Sequence, residues 1–134
     1  MWNFDDKNEF ELICSPITIP ATYTYGGKDR ENREIIRKYA VENLSGKNPR
    51  SFKWYGFRIL VYHTELRGKE KFDVGNVHTL ILDAFSGWQI ERDNSMYSEA
   101  ILYPDDTIRF VRAIQLEAEF ENANKTEICI FGKK

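Results

Sequence analysis

Residues 69–85 read KEKFDVGNVHTLILDAF, and residues 103–109 read YPDDTIR. Wound at 3.6 residues per turn, Val74, Val77, Leu80, Ile81, Ala84 and Phe85 share one side, so the spacing predicts a helix with Asp73 at its N-cap and Ser86-Gly87 as its stop. Asn76, Thr79 and Asp83 recur at i, i+3 and i+7 and form a separate polar stripe on that helix. Asp105 and Asp106 precede a run in which Ile108, Phe110, Ile114, Leu116, Ala118 and Phe120 fall on one face, which predicts a long strand. Asp73, Asn76, Asp83, Asp105 and Asp106 therefore gather on one helix and at the start of one strand. Such a gathering is either a solvated surface with a cap and a turn or a site for a divalent cation. Taken singly, each residue fits the cap, turn or solvated reading better.

Working outward, Phe10 to Cys14 reads as a first strand, closed by Pro16 and Pro20. Pro20 to Lys28, with Tyr23, Tyr25 and Gly26-Gly27, reads as a loop whose aromatics pack on the core or stack on bases. Asp29 is a fitting N-cap for a helix to Leu44, ended by Ser45-Gly46. Its apolar face is Ile35, Ile36, Tyr39, Ala40 and Leu44; Arg30, Arg33, Arg37 and Lys38 spread over the other face. Lys47 to Arg50 is a turn, and Phe52 to Thr64, dense in aromatic and β-branched residues, is a long strand. His63 at its end reads as structural, since His78 stands at no metal-type spacing from it. Residues 88–104 carry mixed signals for a short hairpin or a helical turn. Glu121 to Asn124 turns into a last strand, Thr126 to Phe131, which is expected to form a hairpin with the strand before it. The expected fold is α+β in the order β-α-β-α-β-β, two helices packed on a small mixed or antiparallel sheet, in one domain over 1–134.

The composition, 42% hydrophobic and 30% charged, is that of a globular chain rather than a disordered one. No apolar run approaches the roughly 20 residues of a membrane span. The start, MWNFDDKNEF, is acidic where a secretory signal is basic, so a cytoplasmic protein without membrane partners is expected. Cys14 and Cys129 lack metal or redox spacing and are expected to be buried thiols. The net charge of −2 hides an asymmetry: residues 28–71 carry 12 Lys/Arg against 6 Asp/Glu. Affinity for nucleic acid follows the local field rather than the total. Arg33, Arg37, Arg67, Lys69 and Lys71 of this segment are its candidate DNA contacts, although such residues commonly form only a solvated face.

The series D-x-x-N-x-x-x-x-x-x-D-A-F at Asp73, Asn76 and Asp83-Ala84-Phe85, followed by Asp105-Asp106 before a strand, resembles the RusA family of Holliday-junction resolvases. The order of elements over residues 9–132 is similar as well. The resemblance implies a homodimeric endodeoxyribonuclease of phage or prophage type that cuts branched DNA in recombination and repair, with Mg²⁺ as cofactor and Mn²⁺ as the alternative ion. It assigns Asp73 and Asp106 as metal ligands, and Asp105, Asn76 and Asp83 as residues supporting them. Hard oxygen ligands of this kind suit Mg²⁺-assisted phosphodiester hydrolysis.

Two positions depart from the family pattern. Gly75 stands where the family has a second acidic residue, and Thr79 stands where it has a lysine. Glu91, Asp93 or Glu99 in the following loop could replace the carboxylate, and Lys69 or Lys71 the cation. The alternative expectation is a RusA-like dimer that binds branched DNA, or another partner, without cutting it.

Overall fold

The computed structural model describes residues 1–14, 16–25, 27–44, 52–64 and 74–134. The expected helix end at Ser45-Gly46, the turn over 47–50, the N-cap Asp73 and the basic residues Arg67, Lys69 and Lys71 lie outside the described residues.

The chain is a mixed α+β domain with a five-stranded sheet and three helices among the described residues. Its strands are β1 (Phe10–Leu12), β2 (Ile17–Pro20), β3 (Tyr55–His63), β4 (Val111–Phe120) and β5 (Lys125–Lys133), and its helices are α1 (Asp29–Leu44), α2 (Val74–Ala84) and α3 (Gly87–Arg92). The sheet order is β1-β5-β3-β4, and β2 shares with β1 the outer edge of β5. β3 pairs antiparallel with β5 and parallel with β4.

The expected hairpin of the last two strands is therefore corrected: β4 and β5 are consecutive in sequence but flank β3. The reason lies in β3, whose residues 55, 57, 59, 61 and 63 are all buried. So apolar a strand is best served by neighbours on both edges, and the turn after β4 instead crosses the end of β3, where the Glu121 amide donates to the His63 carbonyl at 3.0 Å. The parallel β3–β4 pairing requires a long crossover, which α2 and α3 supply. The helix count is corrected too. Gly87 does not merely stop α2; it begins α3, within the stretch whose signals were mixed. β2 was missed because Pro16 and Pro20 bracket it, and Pro20 sits at its very end on the sheet edge.

One face of the sheet holds the main core. Phe57, Ile59, Val61, Ile128 and Ile130 meet Ile36 and Ala40 of α1 and Val77, Ile81 and Ala84 of α2, all fully or nearly fully buried. The opposite face carries a smaller aromatic cluster of Phe4, Phe10, Trp54 and Phe131. Gly56 of β3 is required there, because a Cβ at that position would collide with the Phe4 ring. Cys14 is buried and Cys129 half-buried, and neither is in a disulfide.

Candidate functional site

α2 sets its apolar residues toward the sheet, which leaves Asn76 and Thr79 exposed and Asp83 half-buried at the helix's last turn. The chain then turns through Ser86 into α3, and the segment 102–104 returns alongside. The Leu102 amide donates to the Phe85 carbonyl (3.0 Å), the Gly87 amide to Tyr103 (2.9 Å) and the Trp88 amide to Pro104 (2.9 Å), with a parallel bridge between Ser86 and Tyr103. This short ladder carries Asp106 back to the end of α2. There its carboxyl lies against that of Asp83, within hydrogen-bonding reach.

Burial, repulsion from Asp106 and the hydrogen bond shared with it push the Asp83 carboxyl up to about 6; Arg33 opposes the shift and Asp93 adds to it. The C-terminal end of a helix is also an unfavourable place for a carboxylate, since the helix dipole is negative there. Beneath the pair lies Tyr103, fully buried, whose hydroxyl donates to the Leu82 carbonyl at 2.7 Å. Burial first, then the negative charges of Asp106 and Asp83, push that hydroxyl well above its usual 10. Asp105, by contrast, is turned into its own loop: it accepts from the Thr107 amide at 3.0 Å, and its hydrogen bonds with Thr107 lower its pKa.

Beside the pair sits a second acidic centre. Asp93, at the end of α3, receives Arg33 Nε (2.7 Å) and Arg37 (2.9 Å) on one oxygen, and Arg33 (2.8 Å) and Gln89 (2.8 Å) on the other. Burial pushes its carboxyl up, but the bonds from Arg33, Gln89 and Arg37 outweigh this and bring it down to about 2. Arg30 adds two bonds to the Asp93 carbonyl, at 2.8 and 3.0 Å. A groove of about 560 Å³ opens between the start of α1 and Asp93-Asn94. It belongs to this network rather than to the Asp83–Asp106 pair.

The candidate residues thus separate. Asp83 and Asp106 are brought together, with Arg33 close enough to act on Asp83. Asn76 and Thr79 line the helix stripe leading to them. Asp93 is saturated by four donors, and Glu91 and Glu99 are exposed on the surface. Arg33 is tied to Asp93. Arg37, placed by the sequence on the solvated face of α1, has 0% of its side chain exposed and binds Asp93, Glu34 and the Ala84 carbonyl. No phosphate can reach it there, so its assignment as a DNA contact is corrected. Tyr103 and Gln89 carried no signal in the sequence; only the return of 102–104 along α3 gives them a place. Asp73, Arg67, Lys69 and Lys71 lie outside the described residues.

Among the described residues no group of three or more His, Cys, Asp or Glu side chains gathers as a metal site. The two carboxylates of Asp83 and Asp106 nevertheless fit Mg²⁺, which is commonly held by one or two carboxylates with its remaining positions filled by water and substrate phosphate. No helix among the described residues is long and apolar enough to cross a membrane. No protein-family model matches the chain, and no curated protein matches it.

Proposed function

We propose that the chain is a RusA-like, metal-dependent endodeoxyribonuclease that acts as a homodimer on branched DNA such as a four-way junction. One observation carries the reading: Asp83 and Asp106, distant in sequence, place their carboxyl groups together at the end of α2. Asp83 is half-buried and Asp106 exposed; like charges held this close are unfavourable unless something positive joins them, and hard carboxylate oxygens favour a divalent ion. Bound there, Mg²⁺ or Mn²⁺ would polarise a phosphate and lower the pKa of an attacking water.

The residues divide the work as follows. Asp83 and Asp106 hold the ion, so Asp83 moves from the supporting role that the resemblance gave it to that of a ligand. With its carboxyl titrating at about 6, Asp83 is mostly ionised at neutral pH and available for binding. Asp73, immediately ahead of α2 in sequence, is the third candidate ligand. Asn76 and Thr79 offer neutral hydrogen-bonding groups along the stripe. Asp105 keeps the loop that presents Asp106. Arg33 contributes positive potential from α1 while Asp93 fixes its position.

The test is cleavage of a synthetic four-way junction by purified protein with Mg²⁺ or Mn²⁺. Asp83→Asn and Asp106→Asn should each lower the rate about 10²-fold or more, as removal of a preorganised electrostatic contact does. No cutting at any protein or metal concentration would sink the cleavage reading. A second reading, junction binding without cutting, is favoured by Thr79, which is exposed on the stripe where the family has its lysine. Salt-sensitive binding that ignores both chelator and Asp106→Asn would select it.

A further inference from the structure

Of the three tryptophans, two are used by the aromatic cluster on the outer face of the sheet. Trp54 is buried in it, and Trp2 packs on Trp54 and Phe10. Trp88 belongs to neither hydrophobic cluster and is 52% exposed. So large an apolar ring is usually well buried, and its exposure here needs a reason.

The backbone roots this ring beside the acidic pair. Trp88 is the second residue of α3, and its amide donates to the Pro104 carbonyl at 2.9 Å. Two residues on from Pro104 stands Asp106. At 3.8 Å per Cα step, Asp106 lies within roughly 10 Å of the Trp88 amide. The ring is also held in place. One turn further along α3, Arg92 lays its guanidinium over the ring, 3.4 Å from the centroid, and donates to the Trp88 carbonyl at 3.1 Å. The two side chains form one flat, positively charged unit with no place in the core.

The chemistry of that unit selects its ligand. A tryptophan ring and a guanidinium plane both stack on nucleobases, whatever the base. A purely apolar partner would gain nothing from Arg92, whereas a nucleotide brings a phosphate to match it. Arg109, exposed beyond Asp106, is close enough to act on Asp105 and adds a second cation at the rim. At a rise of about 3.4 Å per nucleotide, roughly 10 Å is some three nucleotides from a phosphate at the carboxylate pair. In a paired duplex the base faces are stacked on one another and closed to the ring. An unpaired base leaves its face open.

We propose that Trp88, backed by Arg92, stacks an unpaired base of the DNA strand whose phosphate meets Asp83 and Asp106. The platform rests on the nuclease reading of that pair and deepens it: the preference for branched over linear DNA comes in part from an unpaired nucleotide beside the cut. Trp88 binds and selects; it takes no part in the chemical step.

Binding is measured with chelator present, on a four-way junction carrying one unpaired thymidine at its branch and on a linear duplex. Trp88→Ala should weaken junction binding about tenfold or more and leave duplex binding unchanged, while Trp88→Phe should keep most of the affinity. Arg92→Gln should weaken both and lower the salt slope by about one. Met96→Ala, exposed beyond α3, should change nothing. Circular dichroism should be the same for all four variants. Oligothymidine should quench the fluorescence of the wild-type chain, and Trp88→Phe should remove that quenching although Trp2 and Trp54 remain. Absent quenching, quenching that survives Trp88→Phe, or a Trp88→Ala loss that is nil or equal on junction and duplex would each overturn the platform. Junction cleavage separates this from the carboxylate chemistry. Cutting by Trp88→Ala at the wild-type rate and KM would overturn the platform and leave the metal pair standing; Trp88-dependent binding without any cutting would do the reverse.

Discussion

Two neighbouring acidic centres, one at the last turn of α2 and the other at the end of α3, are opposites in their chemistry. Asp93 has four donors on its two oxygens, and its carboxyl is held at about 2. Asp83 has another carboxyl as its neighbour and is pushed to about 6. Arg33 acts on both, but its hydrogen bonds go to Asp93. A saturated carboxylate holds α1 to α3 and has nothing left to offer a ligand. A carboxylate set against another of like charge is where a cation has something to gain. Proximity to a candidate site is thus a poor guide to role: among Asp83, Asp93 and Asp106, the one with the most partners is the least suited to bind a metal.

The largest effect should come from breaking the satisfied centre. Asp93→Ala leaves Arg37, with no exposed side chain, and Arg33 without their shared anion. Removing one partner of a buried ion pair typically costs about 3–5 kcal/mol. Urea unfolding should show a loss of that size, and a loss under about 1 kcal/mol would mean that α1 is held by its apolar face alone. Asp106→Asn should act in the opposite direction. It removes the repulsion on Asp83, so the folded state should gain roughly 1 kcal/mol at neutral pH, discounted for the pair's solvent screening. Loss of stability in Asp106→Asn would show that the pair is a structural hydrogen bond rather than a strained site.

Much of this contrast was beyond the sequence, for reasons that can be located. The core face of α2 and the stripe ending at Asp83 were legible because a helix repeats its environment every turn, and Asp106 could be set near that stripe through the family pattern. The partner of Asp93 could not be read. Arg33 and Arg37 sit four apart on α1, which looks the same whether the face meets water or α3. Only the docking of α3, a six-residue helix hidden in a stretch of mixed signals, decides it. The β4–β5 hairpin failed similarly. The turn over 121–124 speaks of direction reversal, not of adjacency, and the preference of β3 for two neighbours is a tertiary property. The exposure of Ile114 and Phe120 on β4 was invisible for the same reason: alternation marks which side is apolar, not whether anything covers it.

Acid titration should sharpen the comparison, because the two centres contribute with opposite signs. Asp83 is raised in the folded state, so its contribution is fully present below its unfolded value of 3.8 and is lost as pH rises through about 6. Asp93 is depressed, so its contribution, ~2 kcal/mol by the shift to about 2, is present above 3.8 and lost as pH falls through about 2. With chelator present, the melting temperature attributable to these groups should be highest near pH 4 and fall on either side. Mg²⁺ should then raise the high-pH arm alone, by the mass-action stabilisation of a ligand that binds the folded state. Asp83→Asn should abolish both the decline between pH 4 and 6 and the Mg²⁺ response. A Mg²⁺ effect that survives this substitution would place the ion elsewhere.

A smaller effect than that of Asp93→Ala should come from Tyr103, which lies under the carboxylate pair without carrying a charge of its own. Its hydroxyl serves the Leu82 carbonyl, one residue before Asp83, and so helps fix where the end of α2 points. Tyr103→Phe keeps the ring in its buried position and removes only that bond, leaving the Leu82 carbonyl without a donor from Tyr103; a loss of about 1–2 kcal/mol is expected. If the hydroxyl is purely structural, the acid titration of Asp83 and its Mg²⁺ response should keep the same midpoints in the variant. A displaced midpoint with unchanged overall stability would instead make Tyr103 a positioning residue. It would mean that the distance between Asp83 and Asp106, and with it the strain that favours a cation, is set by one hydrogen bond at the end of α2.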